Sequence, residues 1–282
     1  MNTVKPDVSV VIVNWNVGDL LVECLCSLTA SLNRVQAEII VVDNASVDHS
    51  VGLVRRKFPF VEVIANKQNV GFARANNLGI ELSEGRYILL LNPDTVVPSG
   101  TLERLVKCMD ETPDAGVAGC KQLYVDGKWQ STCHRMISLK REAIVALGLS
   151  KIFSRWVDYD DLPLKATQPF HVDWVGGACL IARRDLIEQV GFLDENIFMY
   201  AEDADLCQRV RDLGYSVYYL PDVSIIHHRG QSASKSSRLS TSPDYSLLMR
   251  QFGGKRYVIK KHYGSLNANV YLGVVIMEMV RR

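Results

Sequence analysis

Between residues 8 and 120 the chain alternates apolar, β-branched runs with amphipathic stretches, and that alternation leaves few folds open. Val8–Val13 (VSVVIV) precedes an amphipathic stretch at Leu20–Leu32, and Glu38–Val42 precedes Asp48–Phe58. Val61–Ala65 precedes Phe72–Leu82, Tyr87–Leu91 (YILLL) precedes Ser99–Asp110, and Gly116–Cys120 closes the series. Runs apolar at successive positions predict strands buried on both faces, and the intervening helices supply that cover in a parallel sheet. The expected class is α/β, with a single Rossmann-like, mostly parallel sheet and helices on both faces.

The rhythm breaks from Leu123 to Val172, which holds Trp129, Trp156, a helical stretch near Arg141–Leu149 and the acidic cluster Asp158, Asp160 and Asp161. This region (123–172) reads as an irregular insertion within one domain. Order returns with a strand at Ala178–Ala182, a helix at Ala204–Leu213 closed by Gly214, and a strand at Ser216–Leu220. The catalytic domain is therefore placed at 1–230. A Ser-rich stretch that reads as mobile and a C-terminal helical segment beginning at Tyr245–Tyr263 make up 231–282. The apolar stretch Tyr271–Val280 is too short to span a bilayer, which takes about 20 residues. It is open to two readings, an interfacial segment at the membrane surface or a packed terminal helix, and the second is preferred.

With 32 Lys plus Arg against 31 Asp plus Glu, the chain has no global field to gather nucleic acid, so any anion must be held locally. Seven cysteines, an odd number with no CxxC pair, suit buried free thiols in a reducing compartment. The N-terminus lacks the charged head and apolar core of a signal peptide, and a cytoplasmic protein is expected.

Ligands of open α/β sheets bind outside the carboxyl ends of the strands. Here those ends are polar: Asn14 and Asn16; Asp43, Asn44 and Ser46; Asn66, Asn69 and Gly71; Asn92, Asp94 and Thr95. Asn and Asp are ordinary turn residues, which accounts for any one site. Four together point to a nucleotide pocket, with amides and carboxylates for base and ribose. Asp94 follows the most apolar strand behind Asn92 and Pro93, and a carboxylate there could hold Mn²⁺ or Mg²⁺. His227 or His228, after the strand-like Val223–Ile226, is a second candidate ligand, although a lone His pair is as often filler.

In Tyr200–Gly214, Leu206, Val210 and Leu213 form an inward stripe at helical spacing, with Asp203 beside it and Asp205 turned about 160° from Asp203. An inward carboxylate at the first turn fits a general base that takes the acceptor hydroxyl's proton; helix capping alone also explains Glu202 and Asp203. Geometry does not choose between the two, and Glu202 is placed on the acceptor side. Gly176 and Gly177 would let backbone approach a donor closely, and Trp174 offers a flat wall for an acceptor sugar ring; a tight turn and a core Trp are the plainer readings.

Taken in order, VSVVIVNWN (8–16), VVDNAS (41–46), NVGFARANNLGI (69–80), LLLNPDT (89–95), WVGGACLIARR (174–184) and FMYAEDADLCQRVRDLGY (198–215) resemble family 2 glycosyltransferases, and more narrowly the bacterial rhamnosyltransferase-like branch. The resemblance implies a GT-A fold, a nucleotide-diphosphate sugar donor, a divalent metal and inversion by one direct displacement. It implies that Asp43 reads the nucleobase, Asn77 is a donor-side amide, Asp94 ends the Asp-x-Asp motif, Asp203 is the base and His227 the late metal ligand. Asn92 replaces the motif's first Asp, which shifts metal holding toward Asp94, His227 and the donor phosphates. L-Rhamnose from its dTDP donor is the implied sugar, and a polysaccharide or lipid-linked glycan the implied acceptor, met at the inner membrane surface if the C-terminal stretch contacts lipid. Two alternatives are a nucleotidyltransferase, disfavoured because no Gly- and basic-rich phosphate loop follows the first strand, and a non-catalytic nucleotide-sugar-binding module.

Overall fold

The computed structural model describes residues 5–32, 34–159, 162–228 and 245–281. The Ser-rich stretch, Asp160 and Asp161 lie outside the described residues. The first half follows the expected alternation: β1 (Val8–Asn14), α1 (Gly18–Ala30), β2 (Ala37–Asp43), α2 (Ser50–Lys57), β3 (Glu62–Ala65), α3 (Phe72–Leu82), β4 (Tyr87–Leu91), the short β5 (Thr95–Val96), α4 (Thr101–Glu111) and β6 (Ala115–Leu123). Helix α1 forms because Leu21, Cys24, Leu25 and Leu28 recur at i, i+3, i+4 and i+7 and are all buried against the sheet.

The sheet runs β3-β2-β1-β4-β11-β6-β12-β5, where β11 is Cys179–Arg183 and β12 is Ser216–His227. Strands β3, β2, β1 and β4 are parallel, as are β6 and β12, whereas β11 is antiparallel to both β4 and β6. The sheet is thus mixed, with a mostly parallel plan. Strand order reverses at β1, which has β2 on one side and β4 on the other, so a crevice opens at their carboxyl ends. Both faces are filled. Val8, Val10 and Ile12 of β1 join one core cluster with Leu89 and Leu91 of β4, while Val11 and Val13 join a second with Ile88 and Leu90. Alternate side chains of each strand therefore feed opposite cores. All seven cysteines are free; six are buried and Cys26 is exposed.

Region 123–172 is more regular than its sequence suggested. It holds β7 (Trp129–Gln130), β8 (Cys133–His134), α5 (Leu139–Ala146), α6 (Ser154–Val157), α7 (Leu162–Lys165) and β9 (Phe170–Val172). Strand β7 pairs with β6 and β9 with β12, so the segment is stitched into the main sheet. β8 pairs instead with β10 (Trp174–Val175). Ser216–Leu220 and Val223–Ile226 form one strand, whose register against β6 shifts between Leu220 and Ser224 around Pro221. Helix α8 (Arg184–Val190), not foreseen from the sequence, follows β11 directly.

After α9 (Glu202–Asp212) and β12 come α10 (Tyr245–Tyr263) and α11 (Ser265–Arg281). Ala268, Tyr271, Val274 and Val275 of α11 are buried in a third cluster with Ile137, Ala146 and, from α10, Val258 and Ile259. That cluster also receives Ala201 and Ala204, beside the start of α9. The terminal stretch therefore packs one face of a helix against this cluster.

Candidate active site

The carboxyl ends of β1 and β2 are joined through side chains. Asn14 Nδ2 donates to Asp43 Oδ1 at 2.8 Å and to Ser46 Oγ at 3.1 Å, while Ser46 N donates to Asp43 Oδ2 at 2.9 Å. Asn14 is fully buried, and its Oδ1 has no partner among the described residues. A buried acceptor left in this way is costly without a donor. Asn16 and Ala45 carry positive φ of 56° and 64° in the two loops leaving these strands, a backbone state that non-glycine residues rarely adopt outside functional turns.

Two predicted donor-side residues are otherwise committed. Both amide protons of Asn44 go to Asn69 Oδ1 and Gly71 O, and its oxygen accepts from Val70 N and Asn66 Nδ2. Asn44 thereby ties the β2 loop to the turn entering α3. Asn77 donates to Leu193 O at 2.9 Å and Glu195 Oε1 at 3.1 Å and accepts from Leu193 N at 3.0 Å. Its amide protons hold α3 to the 193–195 turn, so its influence on a ligand runs through that turn.

Beyond β4, the turn bearing Asp94 meets the end of β12. His227 Nε2 lies 3.3 Å from Asp94 Oδ1, and both residues are buried. Two amides hold the ring in place. Gln130 Nε2 donates to His227 O at 2.5 Å and Leu123 O at 3.2 Å, which turns its Oε1 toward His227 Nδ1 at 3.1 Å. Asn92 Nδ2 stands 3.2 Å from His227 Nε2 as a donor. Gln130 and Asn92 thus fix the orientation of the ring, with Nε2 facing a carboxylate oxygen. Carboxylate and imidazole suit Mn²⁺, with the remaining positions open to water and phosphate oxygens. The residues therefore fit a divalent cation, and Gln130 has the place of the outer-shell partner that orients a ligating His. No cluster of three or more His, Cys, Asp or Glu exists among the described residues, so a cation here has two protein ligands from this set.

The turn bearing Asp203 is built on strained backbone. Tyr200 and Ala201 have φ of 72° and 80°, and α9 starts at once with Glu202 and Asp203. Asp203 Oδ2 accepts from Gly177 N at 3.0 Å and Oδ1 from Ala204 N at 2.8 Å. Burial raises the Asp203 carboxyl to about 6 despite these donors. Burial and the neighbouring Asp203 charge lift Glu202 further, to about 8. Glu202 is 5% exposed and its Oε2 has no partner among the described residues, so it lies beneath the rim. Asp205, on the face its neighbours' spacing assigned to the outside, is fully buried. It accepts from Arg209, Lys261 and His262, the last two on α10, at 2.8 to 3.0 Å.

Two successive residues unite the sides. Gly177 N–H reaches Asp203, and Ala178 O accepts from Asn92 N at 3.0 Å. Asp94, His227, Asn92 and Asp203 are thus linked at the end of β4 through the backbone of residues 177 and 178. Gly176 N donates to Thr132 O at 2.8 Å. Trp174 is half-buried; its Nε1 donates to Arg135 O at 3.0 Å and its ring lies 4.4 Å from that of His134.

The model of Glycosyl transferase family 2 matches residues 9–191. The chain belongs to this family. It is 29% identical over 240 residues to the N-acetylglucosaminyl-diphospho-decaprenol L-rhamnosyltransferase of Mycobacterium tuberculosis, covering 80% of this chain and 77% of that one. It is 26% identical over 168 residues to rhamnosyltransferase WbbL of Escherichia coli, covering 56% and 61%. Among solved structures, it is similar in fold to GalNAc-T7 with UDP, GalNAc and Mn²⁺, with a TM-score of 0.61, 14% identity, 92% of this chain and 58% of that one covered. The mannosyltransferase PcManGT of Pyrobaculum calidifontis, with GDP-Man and Mn²⁺, gives a TM-score of 0.57 at 18% identity over 97% and 80% of the two chains. The fold of this glycosyltransferase is GT-A, and family membership sets aside the nucleotidyltransferase and binding-module readings.

Proposed function

We propose that this family 2 glycosyltransferase uses a divalent cation and a nucleotide-diphosphate sugar, and transfers the sugar with inversion to a lipid-linked glycan. The observation that carries this reading is the buried pair of His227 Nε2 and Asp94 Oδ1 at 3.3 Å, joined through Asn92 and the backbone of residues 177 and 178 to Asp203. Both relatives named above are rhamnosyltransferases, which favours dTDP-L-rhamnose as donor. The mycobacterial relative's name favours an acceptor carried on a polyprenyl diphosphate.

In this mechanism Asp43 and Asn14 face the nucleobase and ribose, and the Asn14 Oδ1 acceptor takes a donor hydrogen bond from them. Asp94 and His227 would hold the cation, which would supply positive charge against the leaving diphosphate. Gly176 and Gly177 leave room for the sugar, with Trp174 as a wall for the acceptor. Asp203, ionised at neutral pH, accepts the proton of the acceptor hydroxyl as that oxygen attacks the anomeric carbon. Gly177 N–H and Ala204 N–H keep its carboxylate aimed, and alignment of the three reacting atoms supplies much of the acceleration. Glu202, protonated in its buried place, keeps a second negative charge away from the base.

A contact with the cytoplasmic face of a membrane belongs to the same reading. The outer face of α11 exposes Leu266, Val270, Ile276 and Met277, and the α5–α6 region exposes Ile152, Phe153 and Trp156 beside Lys151 and Arg155. The donor is tested by thermal stabilisation with a panel of nucleotide sugars and Mn²⁺. A dTDP-L-rhamnose shift that disappears in EDTA is expected. Stabilisation by dTDP-L-rhamnose that is equal with and without metal contradicts the metal-dependent reading.

A further inference from the structure

Helix α10 carries six basic residues between positions 250 and 262: Arg250, Lys255, Arg256, Lys260, Lys261 and His262. Three are neutralised. Lys255 meets Glu142 at 2.7 Å, Lys261 meets Asp194 at 2.7 Å and Asp205 at 2.9 Å, and His262 meets Asp205 at 2.8 Å. Arg250, Arg256 and Lys260 have no carboxylate partner among the described residues. All three are exposed, and all three line one cavity of about 410 Å³ between α10 and the 196–199 turn. No acidic residue lines it among the described residues.

The spacing makes this a face rather than a scatter. Arg250, Gly253, Arg256 or Tyr257, and Lys260 recur at intervals of three to four residues, along one side of a helix. At Gly253 an added Cβ would meet nothing within 4 Å, so the floor between the cations is open backbone. Arg250 lies over the Phe198 ring at 4.9 Å and Arg256 reaches Asn269 Oδ1 at 3.4 Å, which leaves donors of both guanidinium groups without a partner among the described residues. The cavity also adjoins the base side. Phe198 O accepts from Phe72 N at 2.7 Å, and Phe72 and Asp203 both lie 3.8 Å from where a Gly177 side chain would begin.

We propose that this cavity binds the phosphate-bearing head of the acceptor, the diphosphate that joins glycan to lipid, and so presents the glycan to Asp203. The proposal rests on the lipid-linked acceptor reading above. Three unneutralised cations match a diphosphate in charge, and guanidinium forks suit its oxygens. This site needs no metal, which separates it from the donor's diphosphate at Asp94 and His227.

Geranyl diphosphate is the probe, titrated by calorimetry into the full chain in EDTA. Saturable binding is expected, weakened about tenfold for each cation removed in Arg256→Ala and Arg256→Ala/Lys260→Ala, and retained in Lys260→Arg. Inorganic diphosphate should compete, whereas phosphatidylglycerol vesicles should not. With active enzyme, the preference for a diphosphate-linked acceptor over a neutral glycoside should fall in parallel in the same variants. The proposal is overturned if wild type does not bind geranyl diphosphate, if the double variant binds it equally well, or if phosphatidylglycerol vesicles displace it as well as diphosphate does. Failure of the acceptor reading appears separately, as transfer that never uses a diphosphate-linked acceptor while calorimetric binding persists.

Discussion

Asp203 and Glu202 are adjacent carboxyls that the fold treats unequally. Asp203 receives two backbone N–H groups, whereas Glu202 Oε2 receives none among the described residues. Both are raised, Glu202 more, so the pair sheds its first proton near pH 6 and holds its second into neutral pH. The sign of the pH effect follows. A base must be ionised to work, so transfer should fall on the acid side as pH drops through about 6, and a pH profile of kcat in saturating donor and Mn²⁺ checks it. An acid limb near the usual carboxylate range instead would remove burial as the tuning influence on the base. At this scale the sequence showed residue types and not their partners. Asp94, Asp203 and His227 could be named as candidates, but Gln130, 97 residues from His227, carried no local signal. Asn44 and Asn77 look like Asn14 in sequence, yet their amide protons are already committed inside the protein.

The strands and the polar rim were legible because each depends on local periodicity and on a residue type at a strand end. The covering of α9 by α10 was not, because it depends on a helix about 50 residues downstream packing over Asp205. That cover also bears on the turn that leads into Asp203. A Cβ added at Gly254 would lie 2.1 Å from Tyr200 O, so α10 rests directly on the left-handed Tyr200–Ala201 pair that starts α9. Gly254→Ala is expected to push α10 off this turn, destabilise the protein by about 1–3 kcal/mol and lower kcat more than it raises donor KM. Thermal melts and steady-state kinetics measure both. A variant with wild-type kcat and melting temperature would show that α10 does not buttress the turn.

In the whole molecule, the third core cluster joins α5, α10 and α11 beneath the catalytic turn, and the outer side of the same elements exposes apolar residues. Leu266 and Ile152 are 78% and 73% exposed. Apolar surface flanked by Lys140, Lys151 and Arg155 suits an anionic bilayer, and no helix of the described residues is long and apolar enough to cross one. Sedimentation with phosphatidylglycerol vesicles should pull down wild type and leave Ile152→Ser/Phe153→Ser/Trp156→Ser in solution, with binding weakened by salt. Equal sedimentation of the two would move the contact elsewhere. If a cation-holding Asp94 and a proton-accepting Asp203 serve one reaction, Asp203→Asn separates their roles. This variant should keep Mn²⁺-dependent donor binding while sugar transfer falls by roughly a hundredfold to ten-thousandfold. Transfer at the wild-type rate, or donor binding lost together with transfer, would contradict these roles.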